Sequence, residues 1–99
     1  MKIYFSIITV TYNSRENLLK TISSIQSQSY KFFSHLIKDG FSNDKTNKID
    51  FSKFKNTLFY ESKDKGVYDA MNQAFRLSKN EFIIYLNAGD TFFSANSLK

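Results

Sequence analysis

Residues 3–10, IYFSIITV, form an almost unbroken run of β-branched and aromatic side chains. A run of this kind, lacking polar alternation, predicts a strand buried on both faces. The segment TYNSREN that follows is polar, and Asn13 with Glu16 has the form of a capping box at a helix start. Leu18, Leu19, Ile22 and Ile25 then recur at helical spacing and predict one apolar stripe through about Gln28. Strand, loop and helix repeat after that. His35 to Lys38 follow Phe32 and Phe33 as a second strand ending at Asp39-Gly40, and TLFYE at 57–61 is a third. Between them, residues 41–56 are polar and Lys-rich with scattered Phe41, Ile49, Phe51 and Phe54, which predicts a short helix or turn. Val67, Met71, Ala74, Phe75 and Ser78 share the face of a second long helix, and FIIYL at 82–86 is a fourth strand.

Strands alternating with helices imply βαβ units, a mostly parallel sheet and right-handed crossovers. In open sheets of that type, ligands bind beyond the carboxyl ends of the strands. Each expected strand here ends in a polar cluster: Thr11-Tyr12-Asn13, Asp39-Gly40, Asp64 with Gly66, and Asn87 to Asp90. Four such clusters along one sheet edge would assemble a site.

Composition narrows the picture. Ninety-nine residues bound the chain to one domain, and 41% hydrophobic with 23% charged residues place it among globular chains. With no Cys and one His, disulfides, thiol nucleophiles and zinc centres are excluded. His35 has no triad partner at a recognisable spacing and reads as structural. No apolar run approaches the roughly 20 residues of a membrane span, and Ile3 to Val10 reads as a strand rather than a leader because Ser6 and Thr9 interrupt it. A net charge of +5 suits an anionic ligand, a nucleic acid or an anionic membrane equally. No Gly-rich phosphate loop is present.

Four segments together carry a specific resemblance. SIITVTYN at 6–13, IKDGFSNDKT at 37–46, SKDKGVYDAMNQAF at 62–75 and FIIYLNAGD at 82–90 occur in the order and spacing of family 2 glycosyltransferases. The chain resembles the nucleotide-sugar-binding part of that family's GT-A fold, an α/β three-layer sandwich whose sheet begins in the order 3-2-1-4. The resemblance implies transfer of a sugar, with inversion, from a UDP- or GDP-linked donor to a glycan or lipid-linked glycan, as in bacterial exopolysaccharide or capsule assembly. It makes Asp39 the acceptor for a base N–H, with Gly40 beside it, and brings the Thr11, Tyr12 and Asn13 loop to the nucleotide. Asp64, Gly66, Asp69 and Asn72 border the donor pocket under the same resemblance. Asp90, with Asn87 nearby, becomes the holder of Mn2+ or Mg2+, which stabilises charge on a leaving diphosphate. The usual first aspartate of that metal motif is replaced by Asn87.

Simpler roles stand beside these. Asp39-Gly40 can be a plain turn, Asn13 a plain cap, and Asn-Ala-Gly-Asp a turn without metal. Asp69 and Asn72 suit a solvated face, and Arg15 and Arg76 suit surface charges as well as phosphate contacts. Family members carry a second half with the acceptor surface and a general base. After Asp90 only Thr91 to Lys99 follow, without a side-chain carboxylate. Residues 1–99 are therefore expected to be an incomplete domain, inactive alone, cytoplasmic or at the inner face of a bacterial plasma membrane. An uncovered fourth strand would pair with a second copy. Two other classes compete: a nucleotide-binding remnant without turnover, and a single-strand nucleic-acid binder using KTNKIDFSKFKN at 45–56. Those same lysines would also suit an anionic membrane surface.

Overall fold

The computed structural model describes residues 4–78 and 82–90. Ile3, at the start of the expected first strand, and the tail from Thr91 to Lys99 lie outside the described residues. Within them the order is β1 (Phe5–Thr11), α1 (Arg15–Gln26), β2 (Phe33–Asp39), β3 (Thr57–Glu61), α2 (Val67–Leu77) and β4 (Phe82–Tyr85). Two single 3-10 turns, Thr46–Lys48 and Phe51–Lys53, fill the connection between β2 and β3. Every pairing is parallel and the sheet order is β3-β2-β1-β4, so the expected α/β architecture and strand order are observed.

β1 lies between β2 and β4, and every residue from Ser6 to Thr11 is buried, which is why its sequence shows no alternation of apolar and charged positions. Alternate side chains feed opposite layers. Ile7 packs with Ile25 of α1 and with Phe33, whereas Ile8 and Val10 pack with Ala70 and Ala74 of α2. Leu18 and Ile22 of α1 close over Ile37 of β2. Fully burying each Ile or Leu contributes about 1.5–3 kcal/mol, so this two-sided core is the main stabilising element.

α2 presents a different face from the one its sequence spacing suggests. Its buried residues are Ala70 and Ala74, with Met71 partly buried, while Val67 and Phe75 are each more than half exposed. The physical reason is close approach: two alanines let the helix backbone settle onto Ile8 and Val10, where larger side chains would hold it away.

The Lys-rich connection also resolves into core and surface. Ile49, Phe51 and Phe54 pack onto the Leu18–Ile22–Ile37 cluster, and Phe51 stacks on Phe59 with ring centroids 4.2 Å apart. Lys45, Lys48, Lys53 and Lys55 remain exposed. The Phe51 and Phe54 rings that base stacking would need are thus committed to the interior.

Candidate functional site

The carboxyl ends of β1 and β4 and the start of α2 surround a cavity of about 350 Å³. Val10, Thr11 and Tyr12 supply one wall, Asn87 and Ala88 a second, and Gly66, Val67 and Ala70 a third, with Asp64 and Ser14 at the margins. Tyr12 is more than half exposed at its mouth. Two polar atoms in these walls are hidden without any partner: the Thr11 hydroxyl and the Asn87 Oδ1. Thr11 is only 7% exposed. Buried polar atoms are otherwise nearly always hydrogen-bonded, so two orphans on residues that line one cavity mark it as a candidate ligand site.

Gly40 explains how the margin is shaped. A Cβ there would sit 3.0 Å from an Asp64 carboxylate oxygen and 3.4 Å from the Tyr12 ring. Asp64 itself accepts the Gly66 N–H at 3.0 Å through Oδ1 and is ion-paired through Oδ2 with Lys38, a fully buried residue of β2. The Lys38 hydrogen bond holds the Asp64 carboxyl below the usual carboxylate range against the opposing pull of burial, and the Gly66 N–H adds to it.

Asp39 is fully buried and does not line the cavity. Its carboxylate accepts the backbone N–H of Ser42 at 2.8 Å and the Ser42 hydroxyl. One further lone pair on each oxygen is left over, without access to solvent.

The first helix start differs from the expected capping box. Ser14 is the N-cap residue, and no side chain of the cap closes on the helix. Asn13 takes a left-handed conformation, φ 48°, and points its Oδ1 at the Asn43 N–H, 2.6 Å away. The helix-start N–H of Arg15 is met instead by the Asp44 carboxylate at 2.9 Å. A helix-start amide of this kind favours an anion, and here an anion of the chain itself already occupies it. Asp69 likewise works locally, accepting the Lys65 N–H at 2.8 Å and a Gln73 side-chain N–H at 3.1 Å. Asn72 is exposed on α2 and does not line the cavity.

Asn87 to Asp90 form a turn fastened to α1. Asp90 Oδ2 accepts the Asn87 N–H at 3.1 Å. The fully buried Thr21 hydroxyl donates to the Asp90 carbonyl at 2.7 Å and accepts the Gly89 N–H at 2.9 Å. Gly89 has φ 99°, a conformation that disfavours any side chain at that corner. Among the described residues no group of three His, Cys, Asp or Glu could hold a metal. What the turn offers is one exposed carboxylate, Asp90, and the orphaned Asn87 Oδ1. Hard oxygen donors in that number suit Mg2+ or Mn2+ when substrate phosphates and water complete the set.

Thr21, Lys38 and Asp44 were not singled out by sequence reasoning. Lys38 alone carried a usable signal, because a cation in an interior parallel strand demands a buried partner.

Comparison with known proteins bears on the fold and the family. The chain is 31% identical over 100 residues to a PGL/p-HBAD biosynthesis glycosyltransferase of Mycobacterium bovis, covering 95% of this chain and 38% of that protein. Over 96 residues it is 31% identical to the UDP-Glc:alpha-D-GlcNAc-diphosphoundecaprenol beta-1,3-glucosyltransferase of Escherichia coli, with the same two coverages, 95% and 38%. It therefore spans about two fifths of the length of these curated relatives. Its fold superimposes on S. aureus TarS 1-349 in complex with UDP-GlcNAc with TM-score 0.83 at 23% identity, covering 96% of this chain and 28% of that one. The mannosyltransferase PcManGT from Pyrobaculum calidifontis, in complex with GDP-Man and Mn2+, gives TM-score 0.85 at 18% identity, covering 96% and 30%. These likenesses establish the GT-A fold. Residues 6–99 match the model of glycosyl transferase family 2, and the chain belongs to that family.

Proposed function

We propose that this chain binds the nucleoside diphosphate sugar of a glycosyltransferase that builds bacterial cell-surface glycan. The observation that carries the proposal is the pair of hidden, unpartnered polar atoms, Thr11 Oγ1 and Asn87 Oδ1, in the walls of one cavity at the strand carboxyl ends. A ligand bearing both hydroxyl donors and acceptor oxygens would satisfy the two at once, as a nucleotide sugar does. Structural neighbours held with UDP-GlcNAc or GDP-Man support that ligand class.

In this reading Asp64 presents carboxylate oxygens to the nucleoside and Tyr12 flanks it at the mouth, while Asp39, enclosed behind the wall, holds the adjoining loop through Ser42. Asp90, with Asn87 nearby, would hold Mn2+ or Mg2+, which when bound offsets the negative charge that gathers on the departing diphosphate. The intact enzyme inverts the anomeric carbon and works at the inner face of the plasma membrane on a glycan acceptor. A relative named for a diphosphoundecaprenol-linked acceptor supports a lipid-linked one. The exposed Lys45, Lys48, Lys53 and Lys55 suit an anionic lipid surface.

Isothermal titration with UDP and with GDP, each with and without Mn2+, tests the proposal on the wild-type chain, Asp90→Ala and Asn87→Ala. Binding strengthened by Mn2+ and weakened in both variants is expected. A folded chain that binds neither nucleotide would sink it. Binding that ignores Mn2+ and survives both substitutions would favour a nucleotide-binding protein without turnover.

A further inference from the structure

Lys38 is the one buried cation of β2, and its side chain is fully removed from solvent. An ammonium in that position is costly unless it is paired and its donors are used. Its Nζ donates to the Ser62 carbonyl at 2.7 Å and to the Asp64 carboxylate. The interior of a parallel strand ordinarily takes Ile, Leu or Val, as at Ile37 beside it. An apolar residue would spare the desolvation cost, so packing alone does not account for a lysine here.

Asp64 is where the consequence lies. It is half-buried and forms part of the cavity wall. Both oxygens are anchored, one on Lys38 and one on the Gly66 N–H, and each keeps a lone pair free. Gly40 keeps the space in front of this carboxylate open, since any Cβ would press on Asp64 and Tyr12. The diphosphate that the proposed function brings into the cavity is polyanionic. A bare carboxylate beside it would repel it, whereas a carboxylate cancelled by an adjoining ammonium does not.

From this geometry, and resting on the donor-pocket reading above, we infer that Lys38 is a positioning residue of the site. It fixes the Asp64 carboxylate as a charge-neutralised acceptor for the neutral O–H or N–H groups of the nucleoside. Lys38 does not touch the ligand and acts through Asp64. Other charged or titratable groups near this carboxylate come from three elements. Lys63 and Lys65 flank it on the loop and are exposed, and Asp69 of α2 is engaged with Lys65 and Gln73. Tyr60 of β3 has its hydroxyl pKa raised by burial, with Ser62 and Arg76 pulling it down and Asp64 adding slightly to the rise. Lys38 alone among them forms an ion pair with Asp64 among the described residues.

The test is a cycle of Lys38→Met, Asp64→Asn and the double variant, titrated with UDP and Mn2+ between about pH 5 and 8, with circular dichroism confirming the fold. Each single variant is expected to weaken UDP binding about tenfold or more, as removal of a partner from a hydrogen-bonded charge pair does. The double variant restores a neutral pair and binds no worse than Asp64→Asn alone. In Lys38→Met, affinity falls away at a higher pH than in the wild type, because the released carboxyl takes up its proton earlier. A loss of packing alone would not move that profile. Wild-type affinity and pH profile in folded Lys38→Met, or unchanged binding in Asp64→Asn, overturns the inference. If Lys38→Met does not fold, a double variant binding clearly worse than Asp64→Asn overturns it. Failure of the wild-type chain to bind UDP or GDP overturns the donor-pocket reading itself, a separate result.

Discussion

The hydroxyl of Thr9 lies 2.7 Å from Nε2 of His35, and both residues are fully buried. The same hydroxyl donates its single proton to the Leu86 carbonyl at 2.6 Å, so Nε2 must carry the imidazole proton. The Nδ1 of His35 is buried with nothing to accept a proton from it, so the ring is neutral. Burial pushes its pKa from 6.5 down to about 3.

The sign of the linkage follows. Below about pH 6.5 the unfolded chain takes up a proton that the folded chain refuses until about pH 3. Stability should fall as pH drops through that window, by about 1.4 kcal/mol per pH unit from this group. Urea unfolding of wild type and His35→Gln between pH 4.5 and 7, roughly the part of the window where carboxylates stay ionised, checks it. The variant should lose most of the slope, and equal slopes would assign the acid sensitivity elsewhere.

Thr21→Val keeps the shape of the side chain but removes the hydroxyl that fastens the Asn87–Asp90 turn to α1. The Gly89 N–H loses its shorter partner and the Asp90 carbonyl loses its donor. A cost of about 1–3 kcal/mol is expected in thermal or urea melts. Mn2+-dependent nucleotide binding should weaken more than binding without metal, since the turn carries Asp90. Parallel losses with and without Mn2+ would separate the turn from the metal.

Thr11→Val should move stability and affinity in opposite directions. The hydroxyl is buried without a partner, so its removal leaves stability unchanged or raises it by up to about 1 kcal/mol. UDP affinity should nevertheless drop. A variant that binds as tightly as wild type would show that the orphan hydroxyl does not face the ligand.

Gly40→Ala places a methyl 3.0 Å from the Asp64 carboxylate, which Lys38 and the Gly66 N–H hold in place. The expected cost is about 1 kcal/mol of stability, with a clearer loss of nucleotide affinity. Titration of the variant with UDP, beside its melting curve, measures both. Undiminished affinity would mean that the wall yields.

The sequence carried the architecture because the relevant signals are local. The apolar run of β1, the helical stripe through Leu18, Ile22 and Ile25, and polar clusters after each strand need only neighbouring residues to be read. The capping of α1 was not legible for the opposite reason. Asn13 and Glu16 have the right spacing, but the helix-start N–H is taken by Asp44, 29 positions away, while Asn13 turns to Asn43. Thr21 reads as one polar residue in an apolar stripe until the turn at Gly89 is folded against it. The face of α2 was misjudged because large apolar residues, Val67 and Phe75, outweighed the alanines that touch the sheet.

The position of β1 also sets an order on the birth of the molecule. Its first neighbour, β2, follows soon in the chain, but its other edge waits for β4, and Thr9 waits for Leu86, 77 positions later. As the polypeptide leaves the ribosome, β1, α1, β2 and β3 can associate while one side of β1 still presents bare amides and carbonyls. The nascent chain is at its stickiest in that interval, with a buried strand serving temporarily as an edge. The wall containing Asn87 and Ala88 forms only once β4 has emerged, so the cavity stays incomplete until the second edge of β1 is paired.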